Sequence, residues 1–556
     1  MVDQYSELYE TYRWHVPKGF NLANACCLQW SGLPSHERRA AVIQQDQSGN
    51  TRMITYAELA SLTSQLANGL TRLGVIPGDR VIIVLNNADH VIASLLACWA
   101  IRAVAVPLSP DASADDLLAK FKQARAQIAL IDQHSQQASL SAIARCPRIK
   151  QIIGLDVYDG RVMSWRGLIA RQPETHTPTP SLPSEPALIA WPETLAHDLP
   201  PQTALVLPHQ ALIGQLPGFV AAMNWFPEHA NQVLTTFKPW DESGLFAAIL
   251  PTLYFGHTVT LTDKMPHAAN MPPQVSHVVT SGRALLSALK SQPNASSQHD
   301  LAGLVLLENE LLAPCRELAR HAYGVEPNLA TYIPGFGLMF AQSHCRWTAP
   351  GEHGSRLIPG HHIRLTQGDE VVTDADLIGE VQVSRTDIAE HTDPALYVQA
   401  WPVKDMLDLS AQLPAWCATG IHARKQSDGT FQILGGTDQW HQIDQQAVSL
   451  ALLEQLIYLD PQVRWCKVTT APSRKPQNQA ELWVLLDLGP NRELTAATRA
   501  DIRTDIINRI LENFTQTERS PNVKVGLVDH TKLPATNDKG LYPWHTRAFQ
   551  SLLDFL

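Results

Sequence analysis

What this chain lacks narrows its chemistry first. It has no glycine between Gly167 and Gly214 and no lysine between Lys150 and Lys238, so that stretch holds no material for a loop that wraps phosphate in backbone N–H groups and a lysine charge. Its eight cysteines include no Cys-x-x-Cys pair, which speaks against a zinc ribbon or a disulfide framework and for reduced, buried thiols. No basic block offsets the net charge of −10, which argues against a nucleic-acid partner. The most apolar run, Val91 to Leu108, is interrupted by Arg102 and closes on a proline, so a buried helix leading into a strand is expected there and not a membrane span. No Gly-x-Ser-x-Gly elbow offers a nucleophile.

What is present is ample core material. With 556 residues the chain is too long for one ordinary domain, and its 45% hydrophobic content against 17% charged is that of a soluble globular protein. The N-terminus, Met1-Val2-Asp3-Gln4-Tyr5-Ser6-Glu7, is polar and unlike a secretory signal, so a cytoplasmic protein is expected. Leu59, Leu66, Leu70 and Leu73 recur at helical spacing up to Gly74. Arg80-Val81-Ile82-Ile83-Val84-Leu85 then reads as a buried parallel strand, and Ala103 to Leu108 as another. Alternating helices and strands imply parallel sheets covered on both faces, continuing through Val259-Thr260-Leu261, Val278-Val279-Thr280 and Leu304 to Leu307.

Residues 172–186, rich in Pro, Thr and Ser, read as an exposed connector. Short strands follow from Gly360 to about Val383. The tail beyond Leu434 offers a helix near Leu450 to Leu459, a strand at Leu482 to Leu486 and a helix near Ile502 to Phe514. Pro186 to Trp191 reads as a strand, and Pro208-His209-Gln210-Ala211-Leu212-Ile213-Gly214 as the opening of an apolar helix. The joining segment 192–203 carries Glu193, Asp198 and three prolines that cannot donate an N–H, a composition that repels polyphosphate.

Several phrases, in order, resemble the adenylate-forming family, and within it the AMP-forming acyl-CoA synthetases of acetyl and medium-chain type. They include Tyr12-Arg13-Trp14-His15-Val16-Pro17, Leu73-Gly74-Val75 with Pro77-Gly78-Asp79-Arg80-Val81, Ala105-Val106-Pro107-Leu108, Leu250-Pro251-Thr252-Leu253-Tyr254-Phe255-Gly256 and Leu533-Pro534-Ala535-Thr536. The resemblance implies an adenylate-forming ligase fold. Residues 1–434 would form a large N-terminal domain with a β subdomain at about 355–434, and 435–556 a small α+β domain that rotates on a hinge.

The same resemblance implies ATP, magnesium and CoA as cofactors of an active member, and each group that would hold them can be sought. The phosphate loop would fall at 192–203. The family's metal-holding carboxylate falls on Gly335, and its ribose-holding aspartate on Ile421, in Thr419-Gly420-Ile421. The hinge phrase keeps Asp438 but reads Gly435-Gly436-Thr437-Asp438-Gln439 without the arginine. The C-terminal Gly-Lys pair is exchanged to Lys539-Gly540, beside Asp538. Trp240 and Tyr254 are the candidate acyl-pocket residues, and Lys539 the candidate catalytic lysine.

Other residues have plainer readings. His209 is expected to pack, Glu310 in Glu308-Asn309-Glu310 to hold a turn, and His361-His362 and His344-Cys345 not to share a metal, because neighbours on a strand face opposite ways. The expectation is therefore a silent homologue with no confident cofactor, which binds an acyl-CoA, a small carboxylate or a protein partner. The alternative is an active carboxylate–CoA ligase with a divergent nucleotide site.

Overall fold

Thr55 starts the first long helix, Tyr56–Arg72, because its side chain accepts from the Glu58 N–H while Glu58 reaches back to the Thr55 N–H. The leucine stripe of that helix is buried, and it packs against a second helix, Ala88–Ala100. The structure is a computed structural model. It describes residues 3–529 and 554–555, except 47–48, 192–202, 229–230, 293–295, 297–300, 348–353, 398, 402–413, 438, 444–445, 472–480, 490–494 and 513–520.

Both helices lie between two large sheets. In the first, the parallel strands Val104–Pro107, Arg80–Val84, Ile128–Asp132 and Gln151–Leu155 are neighbours, with Val81 opposite Ala105 on one side and Ile128 on the other. Alternation divides the strand Arg80–Val84 between two cores. Val81 and Ile83 face the helices, while Ile82 and Val84 join Phe121 and Ile143 on the far face. Among the described residues the second sheet has nine strands, and its parallel part runs through Ala40–Gln45, Thr258–Thr262, Gln232–Thr235, Val275–Thr280, Gly303–Leu306 and Asn328–Ile333. Val42, Val259 and Leu261 meet the same helix layer from the opposite side.

The β subdomain is an antiparallel sheet of Ile363–Gln367, Glu370–Val372, Ile378–Ser384, Trp416–Lys425 and Phe431–Gly435. A short strand from the same region, Gln399–Trp401, instead pairs with the edge of the first sheet. The C-terminal sheet joins Trp465–Ala471, Glu481–Asp487, Asn522–Leu527 and Asp554–Phe555, packed by helices Leu450–Tyr458 and Ala496–Leu511. The helix Ala496–Leu511 starts six residues before the expected Ile502, since Thr495 caps it through the Thr498 N–H.

One expectation is corrected. The run expected to open a helix at Pro208 is first a strand, Ala204–Pro208, antiparallel to Pro186–Ala190, and the helix begins only at Ala211. The segment from 192 on therefore connects two strands of one sheet, not a strand to a helix. Among the described residues no helix is long and apolar enough to cross a membrane.

Candidate functional site

The carboxyl ends of strands from both sheets converge, as expected for a ligand site in parallel α/β architecture. Pro107, Trp191, Phe237 and Leu307 all lie at or just beyond such ends. With the β subdomain and the start of the C-terminal region they line a cavity of about 710 Å³.

Glu242 is the most constrained group in its wall. It follows Trp240 and Asp241 on the segment leaving the strand Gln232–Thr235 and begins a helical run that continues to Tyr254. Its Oε1 accepts from the Tyr332 hydroxyl at 2.9 Å and from the Gly335 N–H at 2.6 Å, while its buried Oε2 has no partner. Burial pushes its pKa up to about 7, against the opposing pull of the Gly335 and Tyr332 hydrogen bonds. Gly335, the position matched to the family's metal carboxylate, sits at φ +78° with the Leu205 side chain where a Cβ would go. A carboxylate thus reaches Gly335 from a distant element. Nothing in the local pattern points to it, because a contact across 93 residues follows no periodicity.

Glu308 follows the strand Gly303–Leu306 and accepts from the Gly282 N–H at 2.9 Å. Burial lifts its pKa to about 7; the Gly282 hydrogen bond opposes this, Glu454 adds to it and Arg283 subtracts. Asn309 accepts from Thr331 Oγ1 at 3.1 Å. Glu310 holds the turn: its Oε1 accepts from Gln432 Nε2 at 2.9 Å and its carbonyl from Gln455 Nε2 at 3.0 Å. Across the cavity, Ile421 presents a hydrocarbon, while the Thr419 hydroxyl is spent on the Val381 carbonyl at 2.8 Å.

The charge of the lining is one-sided. Among the described residues of the lining, Asp241, Glu242, Glu308, Glu310 and Glu454 stand against two cations, Lys120 and Lys467. Lys120 pairs with Asp116 at 2.9 Å and Lys467 with Glu454 at 3.1 Å.

Of the residues singled out from sequence, Trp240 lines the cavity. Tyr254 is not in its lining; half-buried, it packs edge-on to Phe255 with ring centroids 5.3 Å apart. Asp438, Lys539 and residues 192–202 lie outside the described residues. His209 is fully buried and its pKa is pulled down to about 4 by burial, as fits a packing histidine. His361 Nδ1 is 2.6 Å from Asp393 Oδ2, both side chains being wholly buried. Among the described residues, no three His, Cys, Asp or Glu side chains are grouped to hold a metal ion.

Comparison with known proteins gives three consistent results. A family model of AMP-binding enzymes matches residues 31–191. An acetyl-coenzyme A synthetase of Streptomyces avermitilis is 31% identical over 159 residues, 26% of this chain and 24% of that protein. Another, of Thiobacillus denitrificans, is 24% identical over 325 residues, 53% of this chain and 48% of that protein. The matched stretches thus span less than half the length of either relative. Among solved structures, the anthranilate CoA ligase AuaEII in complex with anthranoyl-AMP superposes with a TM-score of 0.74 at 17% identity, covering 95% of this chain and 96% of that one. A benzoate CoA ligase from Burkholderia xenovorans LB400 does so with a TM-score of 0.69 at 16% identity, covering 96% and 100%. At such identities the likeness establishes the fold.

Proposed function

We propose that this chain, which matches AMP-binding enzymes over residues 31–191 and shares the fold of CoA ligases, is a catalytically silent homologue of acyl-CoA synthetases that keeps the ligase scaffold and acts by binding. The neighbours include a ligase bound to anthranoyl-AMP and the ATP-bound MatB of Rhodopseudomonas palustris. The observation that carries the proposal is the charge of the cavity. Five carboxyl side chains and two lysines already paired with acids do not fit a magnesium triphosphate, whose charge must be met by cations.

Two further features support it. Ile421 cannot accept from ribose hydroxyls, and a buried hydroxyl left unpaired costs roughly 1–3 kcal/mol. Residues 192–203 supply no glycine and no lysine to compensate. We assign the binding role to the 710 Å³ cavity, and take residues 435–556 as a small C-terminal domain of a protein that works in the cytoplasm. An acyl-CoA or small carboxylate head group inside the cavity would meet the same acidic wall.

ATP–pyrophosphate exchange over a panel of short and medium carboxylates tests the proposal. The expected result is exchange no higher than without enzyme. Clear exchange that disappears with Lys539→Ala would overturn it in favour of a ligase with a divergent nucleotide site.

A further inference from the structure

We infer that the helix Leu450–Tyr458 and the strand that follows it are latched to the large domain by Gln455, Lys290 and Arg283, so that the small C-terminal domain keeps one orientation and does not turn on its hinge.

One half of the latch is Gln455, a buried residue facing the turn that Glu308 begins. Its Nε2 donates to the Glu310 carbonyl at 3.0 Å, and its Oε1 accepts from the Leu312 N–H at 3.0 Å. A single amide thus satisfies a main-chain acceptor and a main-chain donor of the large domain, as a neighbouring strand would. Leu312 stands at the start of the helix Ala313–Tyr323, where the helix itself supplies no acceptor for its N–H.

The other half comes from the helix Gly282–Ser291. Lys290 Nζ donates to the Tyr458 carbonyl at 2.9 Å and to the Val463 carbonyl, and it lies 4.5 Å from the centre of the Tyr458 ring. Tyr458 ends its own helix, whose last carbonyls lack intrahelical partners and carry the negative end of the dipole. A cation from the large domain is therefore the C-terminal cap of a helix in the small one. Two turns earlier, Arg283 donates to the Cys466 carbonyl at 3.1 Å and lies 5.9 Å from the ring centres of Tyr458 and Trp465. Tyr458 also packs against two cores, that of Leu285 and Leu289 and that of the C-terminal sheet.

Turning the helix away would break both halves together, uncapping its end and leaving the Gln455 amide and the Leu312 N–H to find new partners. It would also open the cavity, because Glu308, Asn309 and Glu310 line it from one side of the latch and Leu450 and Glu454 from the other. The orientation of the small domain and the shape of the cavity are thus set by the same contacts.

The test is double electron–electron resonance on the full chain, with spin labels at the exposed Glu317 in the large domain and the exposed Asp501 in the helix Ala496–Leu511. A single distance is expected, unchanged by ATP with magnesium or by CoA. Lys290→Ala and Gln455→Ala should each broaden it, and the double variant should show a second distance in roughly a tenth or more of the molecules. Lys290→Arg, which keeps a cation at the helix end, should retain the single distance of the parent, and circular dichroism checks that every variant is folded. Should the double variant fail to fold, the single variants decide in the same way. Two distances in the parent, a shift on adding nucleotide or CoA, or folded variants that keep the parent's distance would each overturn the latch. Pyrophosphate exchange by a chain that holds one distance would sink the silent-homologue reading and leave the latch standing.

Discussion

The carboxylate of Glu242 and the backbone N–H of Gly335 meet at 2.6 Å, joining the segment after one parallel strand to the turn between two others. An acid thus stands where a carboxylate is missing from the local sequence, in a buried position with one oxygen unpartnered. That arrangement is costly in the ionised form.

The cost has a definite pH signature. Burial raises the folded-state pKa of Glu242 from its ordinary 4.5 to about 7, so the folded form holds a proton that the unfolded chain loses earlier. Stability from this group is present below pH 4.5 and is lost as pH rises toward 7, on the order of 3 kcal/mol by pH 8. Glu242→Gln keeps an acceptor for Tyr332 and Gly335 and cannot ionise. Urea denaturation should therefore show the variant more stable than the parent at pH 8 and equal to it at pH 4.5. A variant weaker at pH 8 would mean that the carboxylate is compensated in the folded state.

Glu308 carries a related effect that depends on a second residue. Glu454 is among the groups raising its pKa, and the two face one another across the junction of the large sheet and the C-terminal region. Glu454→Gln removes that repulsion, so the Glu308 carboxyl should titrate below its present value of about 7. Carbon-13 NMR of the labelled carboxyl groups measures this directly. A Glu308 midpoint that stays in place would show burial acting alone.

Much of the architecture was legible in residues such as Val81, Ile82, Ile83 and Val84, whose alternate faces enter two different cores as a doubly covered parallel strand requires. The strand Ala204–Pro208 was not, because Ala204, Leu205, Val206 and Leu207 form an unbroken apolar run in which helix and buried strand look alike. The site was legible only in part. Trp240 pointed to the right segment, yet the decisive neighbour two residues on, Glu242, gains its meaning from Tyr332 and Gly335, which the fold alone brings to it. Tyr254 lies at the far end of the helical run that begins at Glu242 and packs against Phe255 instead of the cavity.

His361 and Asp393 form a wholly buried pair at 2.6 Å, and the N-terminal arm closes over it. Trp14 Nε1 donates to the Gly360 carbonyl at 2.7 Å and the Tyr9 hydroxyl to the His361 carbonyl at 3.1 Å. Asp393→Ala strands Nδ1 without an acceptor and should cost roughly 1–3 kcal/mol. The double variant His361→Ala/Asp393→Ala should lose less than the sum of the singles, since each single leaves one partner unsatisfied. Additive losses in a double-mutant cycle would show that the pair is not coupled.

Gly335 allows strain and crowding to be separated. Its φ of +78° disfavours any side chain, and a Cβ there also collides with Leu205, whereas Gly368, at φ +59°, has open space around it. Alanine at Gly368 reports the backbone term alone, about 1 kcal/mol. Gly335→Ala adds the clash and displaces the N–H that Glu242 depends on, so its loss should exceed that of Gly368→Ala by at least a further kcal/mol or so. Equal losses of stability in the two variants would mean that Leu205 gives way freely and that the Glu242 contact bears no strain.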